Sequence, residues 1–412
     1  MKIENFSKET SSETARVSAR LIWEDCDRPQ QEVYFETTAE FADDLDANPN
    51  SWLLASALAA MRYGEKRIAI DAPISAEIKD GLINSMKCLI NWHGGDRRVI
   101  PIEAPIATEV SSDKPCRAGG FFSGGIDALA MVRDNRLNFA PDHPRYIQDG
   151  ILVYGVLQGE NERDPSFQNV VKAAQTMAAD AGINLIQVYT NAYAHFRDLD
   201  PDSNFWRFEY HGSFLAGIAH AFASRFSVAS IASTYDFANL EPWGSHPLLD
   251  PLYSDTSLQI RHENAALSRL EKTRLVGEWD VALEQLRVCN EKKSYKDGNY
   301  NCGECEKCVR TMTTFLALNM LDQVATFKEK DVSQEKLVKA CYLGDSYEVS
   351  CYRELIEPLT KIGRQDLVEG IEQIIRRYYE RDFKGIVKRL DRTLFDGSLL
   401  NLSKRIKVSK SS

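Results

Sequence analysis

The sequence predicts an α/β protein: a parallel, doubly wound sheet, a small N-terminal α+β unit in front of it and a helical C-terminal segment behind it. Two observations lead there. Between about Cys116 and Met320, short Val/Ile/Leu-rich runs alternate with stretches of helical length, the pattern of strands covered on both faces by crossover helices. The flanks read differently, with hairpin-like strands before this stretch and helical spacing without strands after it. The 412 residues suit two or three domains, and the expected boundaries are 1–115, 116–320 and 321–412.

In the first unit, Val17–Trp23 and Glu32–Thr37 read as strands around a polar turn segment. A helix follows over Ser51–Tyr63, then a strand at Arg67–Ile70, a helix at Ser75–Trp92 and a strand at Arg97–Ile102. The Pro-, Ser- and charge-rich stretch 103–115 reads as a linker. The middle region begins with a strand at Arg117–Phe122, a Gly turn and a helix from Asp127. Strands at Ile151–Leu157, Leu185–Tyr189 and Val228–Ser233 follow, separated by helices at Phe167–Ala181 and Gly212–Ser224. A helix at Ser268–Trp279 and a short strand at Leu286–Val288 complete it. Beyond Met320 the chain reads as helical, with apolar residues at helical spacing in Gly363–Arg392. Ligands of such sheets sit beyond the carboxyl ends of the strands, so the loops after Phe122, Leu157, Tyr189 and Ser233 are where chemistry is expected.

Composition excludes several classes. With 43% apolar and 27% charged residues the chain is neither disordered nor fibrous. Its start is polar, unlike a signal peptide, and no apolar run approaches the ~18 residues of a membrane span, so a cytoplasmic location is expected. The formal charge is −10, but residues 361–412 hold 13 Lys+Arg against 7 Asp+Glu, which leaves the rest at −16. That acidic body argues against general nucleic-acid binding and admits polyphosphate only where positive charge is concentrated.

Two motifs stand out. Ser123-Gly124-Gly125-Ile126-Asp127 lies between a strand and a helix. Two glycines allow close approach of an anion to the backbone, the helix start offers free N–H groups, and Asp127 is a candidate Mg²⁺ ligand. A plain strand-to-helix turn is the alternative. The second motif is Cys289 followed by Cys302-Gly303-Glu304-Cys305-Glu306-Lys307-Cys308, which can close a four-thiolate zinc site. A redox or sulfur-carrying pair is the competing reading. Weaker candidates lie between the motifs. Ser233 and Thr234 follow a strand; His246 and Asp250 sit in a Gly/Pro-rich loop; Arg269 and Lys272, three apart on a helix, could meet an adenylate or carboxylate. His211 and His262 lack metal spacing and read as structural.

The segment GGFFSGGIDAL resembles the PP-loop of ATP pyrophosphatases, usually SGGxDS, with Ala128 in place of the final Ser. The resemblance implies a Rossmann-like fold and cleavage of Mg-ATP to AMP and pyrophosphate, with Ser123, Gly124, Gly125, Ile126 and Asp127 around the nucleotide. With the cysteine cluster behind it, residues 116–320 are similar to the 7-cyano-7-deazaguanine synthases. Related proteins with added segments occur in bacterial antiviral islands, where some modify a protein. The resemblance implies a carboxylate substrate of deazaguanine type, adenylated and then attacked by ammonia or an amine. It further implies structural Zn²⁺ on Cys289, Cys302, Cys305 and Cys308. On that basis Asp127 and Lys272 are the catalytic candidates, Ser233 and Thr234 further ATP-binding candidates, and His246, Asp250 and Arg269 substrate-binding ones. The expected partners are a small-molecule carboxylate and a protein acceptor, with no membrane; a homodimer stays open. Sulfur insertion into a tRNA base and a non-catalytic nucleotide-binding zinc adaptor are the alternatives.

Overall fold

A computed structural model describes residues 1–108, 116–155, 165–289 and 300–381. The expected linker in part, the end of the Ile151–Leu157 strand with its following loop, and the basic tail lie outside the described residues.

The first of two compact units comprises Met1–Cys302 with Gln323–Thr326. It opens with three antiparallel strands, β1 (Lys2–Thr10), β2 (Thr14–Ile22) and β3 (Gln31–Thr38). Helix α1 (Pro49–Arg62), strand β4 (Ile68–Ile70), helix α2 (Ala76–His93) and strand β5 (Ile102–Glu103) follow. Next come β6 (Ala118–Phe121), α3 (Ile126–Asn138), β7 (Ile147–Tyr154), α4 (Pro165–Asp180) and β8 (Asn184–Thr190). The unit closes with α5 (His211–Ala221), β9 (Val228–Ala232), β10 (Gln259–Glu263), α6 (Arg269–Gly277) and α7 (Asp280–Gln285).

All ten strands described form one sheet in the order β10-β9-β6-β7-β8-β3-β2-β1-β4-β5. The five strands from β10 to β8 are mutually parallel, and β3 joins β8 antiparallel through Phe35↔Thr190 and Glu36↔Tyr189. The α/β expectation therefore holds, with a correction to its layout. The sheet does not break near residue 115: the N-terminal strands extend it, because β3 completes the otherwise open edge of β8. Two further differences concern single strands. Lys2–Thr10 is a strand despite its polar sequence, since only Ile3 along it is fully buried and the ladder with β2 supplies the rest. Leu286–Val288 pairs with no strand among the described residues.

Helices cover both faces. A Cβ on Gly119 would stand 2.9 Å from the Phe226 ring, and one on Gly120 would stand 2.8 Å from Met131 of α3, so the two neighbouring glycines of β6 meet opposite layers. On one face α1, α2 and α5 share a continuous core with Phe121, Ile151, Ile186, Val188 and Ile231; Trp52 stacks on Phe35 at 4.5 Å within it. On the other, Ile126 and Leu129 of α3 are buried, and α3 packs on α6.

The second unit comprises Gly303–Asp322 and the residues from Phe327 on. Its described elements are α8 (Glu306–Ala317), α9 (Gln334–Ala340), α10 (Ser346–Arg353), α11 (Ile356–Lys361) and α12 (Gln365–Arg381). The described C-terminal part, to Arg381, is helical, and the unit begins at 303, earlier than the expected boundary at 321. Buried Tyr352 ties α10 to α8 and to the end of α9 by donating to Glu306 Oε1 (3.2 Å) and Cys341 Sγ (2.8 Å). No described helix is long and apolar enough to cross a membrane.

Candidate functional site

The sheet order itself selects a place. From β6 the chain winds outward through β7 to β8, then returns to place β9 and β10 on the other side of β6. The order therefore reverses between β6 and β9, and a crevice at their carboxyl ends is where an open α/β sheet binds ligand. The Ser123–Asp127 turn leaves β6 at this point and Ser233-Thr234 leaves β9.

The turn depends on its glycines for its backbone shape. Gly124 has φ +76°, a conformation that costs an L side chain energy, and Gly125 caps α3 through its backbone alone. With no side chain capping it, the first turn of α3 leaves its amides and positive dipole end at the carboxyl end of β6. Ser123 is exposed, and its Oγ lies 3.4 Å from the Gly125 amide. Ile126 and Ala128 are buried, so they anchor the turn from beneath.

Helix α6 supplies the cations. Ser268 starts it with a reciprocal capping box to Glu271, which fixes Arg269 in the first turn and Lys272 one turn on, on the same side. Arg269 Nη2 is 3.1 Å from Asp127 Oδ2 and Lys272 Nζ 3.5 Å from Asp127 Oδ1. Lys272 is almost wholly buried and donates to the carbonyls of Ser233 (2.7 Å) and Thr234 (3.4 Å). Burial pushes its pKa below the ordinary value, against the pull of Asp127 and with the help of Arg269. Asp127 keeps about a quarter of its side chain exposed, 27%, while its Oδ1 is buried and faces Lys272 Nζ at 3.5 Å. Ser233 enters differently from expectation: its hydroxyl is buried and donates to the Tyr235 carbonyl, so its contribution here is the carbonyl that holds Lys272.

His246 and Asp250 belong to a second polar cluster. Asp250 is fully buried and its Oδ2 takes hydrogen bonds from Ser245 Oγ (2.6 Å) and His262 Nδ1 (2.7 Å). His246 Nδ1 accepts from the Leu248 amide at 3.0 Å, and its ring meets Trp92 edge-on at 4.9 Å. Burial, with His262 nearby, lowers the His246 pKa against the pull of Asp250. Partners within the loop, on β10 and on α2 brace it against those two elements. A tight fit accompanies them, since a Cβ on Gly212 of α5 would sit 2.4 Å from the Gly244 carbonyl oxygen. His262, read as a lone structural residue, proves to be the partner of Asp250, and its Nε2 is buried with no hydrogen-bond partner.

The four cysteines converge. One sulfur from each of Cys289, Cys302, Cys305 and Cys308 lies within 4.8 Å of the others, and none is in a disulfide. A tetrahedron with metal–sulfur bonds of about 2.3 Å has edges of about 3.8 Å, so a small inward shift closes the set around an ion. Gly303, with φ +72°, turns the chain between Cys302 and Cys305, and Cys305 caps α8, which places Cys308 in its first turn. The residue the sequence did not reveal is Asn301, which is buried. Its Oδ1 accepts from Val288 (2.9 Å) and Cys289 (3.2 Å), and its Nδ2 donates to Leu286 (2.9 Å) and Thr326 (3.0 Å). No family model, curated protein or solved structure matches the chain.

Proposed function

We propose that the chain is an ATP-dependent C–N ligase similar to the 7-cyano-7-deazaguanine synthases. One observation carries this reading: Asp127, Arg269 and Lys272 converge beside the start of α3, capped by backbone alone, at the point where the sheet order reverses. The Gly124-Gly125 turn and the first amides of α3 would receive the triphosphate, and Arg269 and Lys272 would face the charge that develops as pyrophosphate departs. The carboxylate oxygen of the substrate attacks the α-phosphorus and the bond to pyrophosphate breaks. Ammonia or an amine then attacks the acyl carbon, AMP leaves with the bonding pair, and the nitrogen loses a proton. Asp127 would hold Mg²⁺, which would supply countercharge to the phosphates. The substrate is a deazaguanine-type carboxylate, and a protein amine is the acceptor in an antiviral setting.

The cysteine set fits Zn²⁺, and four thiolates leave no open position, so the metal's part is structural. The test is calorimetry with Mg-ATP together with pyrophosphate release in the presence of a carboxy-deazaguanine and ammonium. Asp127→Ala abolishes both signals if the reading is right. A wild-type protein that neither binds Mg-ATP nor releases pyrophosphate overturns it.

A further inference from the structure

The segment expected as the last strand, Leu286–Val288, instead touches the anion turn on one side and the cysteine cluster on the other. The Arg287 amide donates to the Gly124 carbonyl at 3.1 Å, and Arg287 Nη2 lies 3.4 Å from the Ser123 carbonyl oxygen. The Gly124 C=O and the Gly125 N–H belong to one planar peptide unit, so holding the first fixes the direction of the second. Gly125 is the N-cap residue of α3, with its carbonyl accepting from the Leu129 amide at 3.0 Å and its N–H 3.4 Å from Ser123 Oγ, and Gly124, at φ +76°, has the widest freedom to rotate that plane. Arg287 thus removes the looseness that the glycine introduces, and it brings a guanidinium to the edge of the turn.

Asn301 holds the same segment from the other side through the bonds it makes to Leu286, Val288 and Cys289. It is covalently next to Cys302, so its side chain clasps a stretch that begins three residues before one cysteine ligand while its backbone continues into another. Every link from Cys289 and Cys302 through Asn301 to Arg287 and Gly124 is a hydrogen bond or a peptide bond.

We propose that Arg287 is the positioning residue of the Ser123–Asp127 turn, and that metal held by the four cysteines tightens the turn through the Asn301 clasp. The link rests on the proposed nucleotide site only for its binding consequence; the mechanical coupling stands without it. The test compares metal-loaded protein, protein stripped by a chelator, and an Asn301→Ala variant in the intact chain. Amide exchange over residues 123–125 and over β1–β3 is followed by mass spectrometry, metal content is measured, and Mg-ATP affinity is taken by calorimetry.

Stripping is expected to speed exchange in the turn roughly tenfold, to leave β1–β3 unchanged and to weaken Mg-ATP binding by a similar factor. Asn301→Ala gives the same local change with metal retained, and Asn301→Asp, which keeps the acceptor for Val288 and Cys289, restores part of it. Arg287→Gln keeps the backbone bond to Gly124, so it weakens Mg-ATP binding with little change in exchange. Unchanged exchange in the turn after stripping, or an equal rise throughout β1–β3, overturns the coupling; should Asn301→Ala not fold, the stripped wild type decides. Exchange that responds in a protein that binds no Mg-ATP supports the coupling and sinks the nucleotide reading; tight Mg-ATP binding with unresponsive exchange does the reverse.

Discussion

Two aspartates of the parallel sheet each meet two cations, yet they are built to opposite ends. Asp149 lies near the amino end of β7 and is fully buried. Arg117 Nη2 (2.9 Å) and Arg225 Nη2 (2.8 Å) reach its Oδ1, Asn184 Nδ2 adds a contact at 3.0 Å, and both arginines also donate to Oδ2 through Nε. Asp127 lies at the carboxyl edge, part-exposed, with fewer and longer contacts: Arg269 Nη2 at 3.1 Å and Lys272 Nζ at 3.5 Å. A carboxylate with every lone pair taken holds strands together; one left part-exposed at the carboxyl ends of the strands can take a ligand. Burial alone would raise the Asp149 pKa, but the hydrogen bonds from Arg117, Arg225 and Asn184 outweigh it and hold the carboxyl below its ordinary value.

The comparison breaks if both positions respond alike to truncation. Asp149→Ala leaves two guanidinium groups without their shared partner and should cost about 3–5 kcal/mol in urea unfolding. Asp127→Ala leaves buried Lys272 its two carbonyl partners, so it should cost less than Asp149→Ala while removing Mg-ATP binding. The Asp149 deficit also has a pH signature. A depressed native pKa gives stability that is present above the ordinary value of 3.8 and is lost as pH falls through the native value, so the two proteins converge in acid. Equal losses for both alanine variants would refute the contrast.

A smaller effect tests the open cluster. Lys272 has its pKa depressed by burial, so between that value and its ordinary 10.5 the unfolded chain binds the extra proton. Stability relative to a Lys272→Met variant should therefore rise with pH in that window, by at most about 1.4 kcal/mol per pH unit. A difference that stays flat with pH would show that Asp127 fully offsets the burial. A local effect belongs to the turn. Gly124→Ala places a side chain at φ +76°, with its Cβ 3.3 Å from Met177 Cε, and should cost about 1–2 kcal/mol by thermal unfolding. No loss at all would mean that the turn relaxes away from the geometry described.

Much of the local structure was legible. The β2–β3 hairpin, the helices α1, α2 and α5 and the alternation from β6 to β9 follow from apolar spacing, because each buries one face and shows it in the sequence. Strand β1 was not legible, since KIENFSKET buries Ile3 alone and owes its form to pairing with β2 and β4. Strand β10 was missed for a similar reason: Gln259–Glu263 is polar in four of five positions, and its side chains pair with Asp250, Arg145 and one another. In the candidate site, Asp127 and the four cysteines were marked by spacing. Arg287 and Asn301 were not, because a single hydrogen-bonding residue carries no pattern of its own.

The sequence by itself determined the parts: an α/β middle region, a glycine turn before a helix, and four cysteines close in sequence. These are local facts, written in residue type and in spacings of a few positions. Tertiary structure decided what the parts meet. It joined the N-terminal strands to the β8 edge, because an open edge leaves backbone groups unpaired. It buried His246 and Asp250 in a brace, and it brought Arg269 and Lys272 to Asp127 across more than 140 residues of chain. Contacts at that separation depend on sheet order, and sheet order is a property of the whole fold.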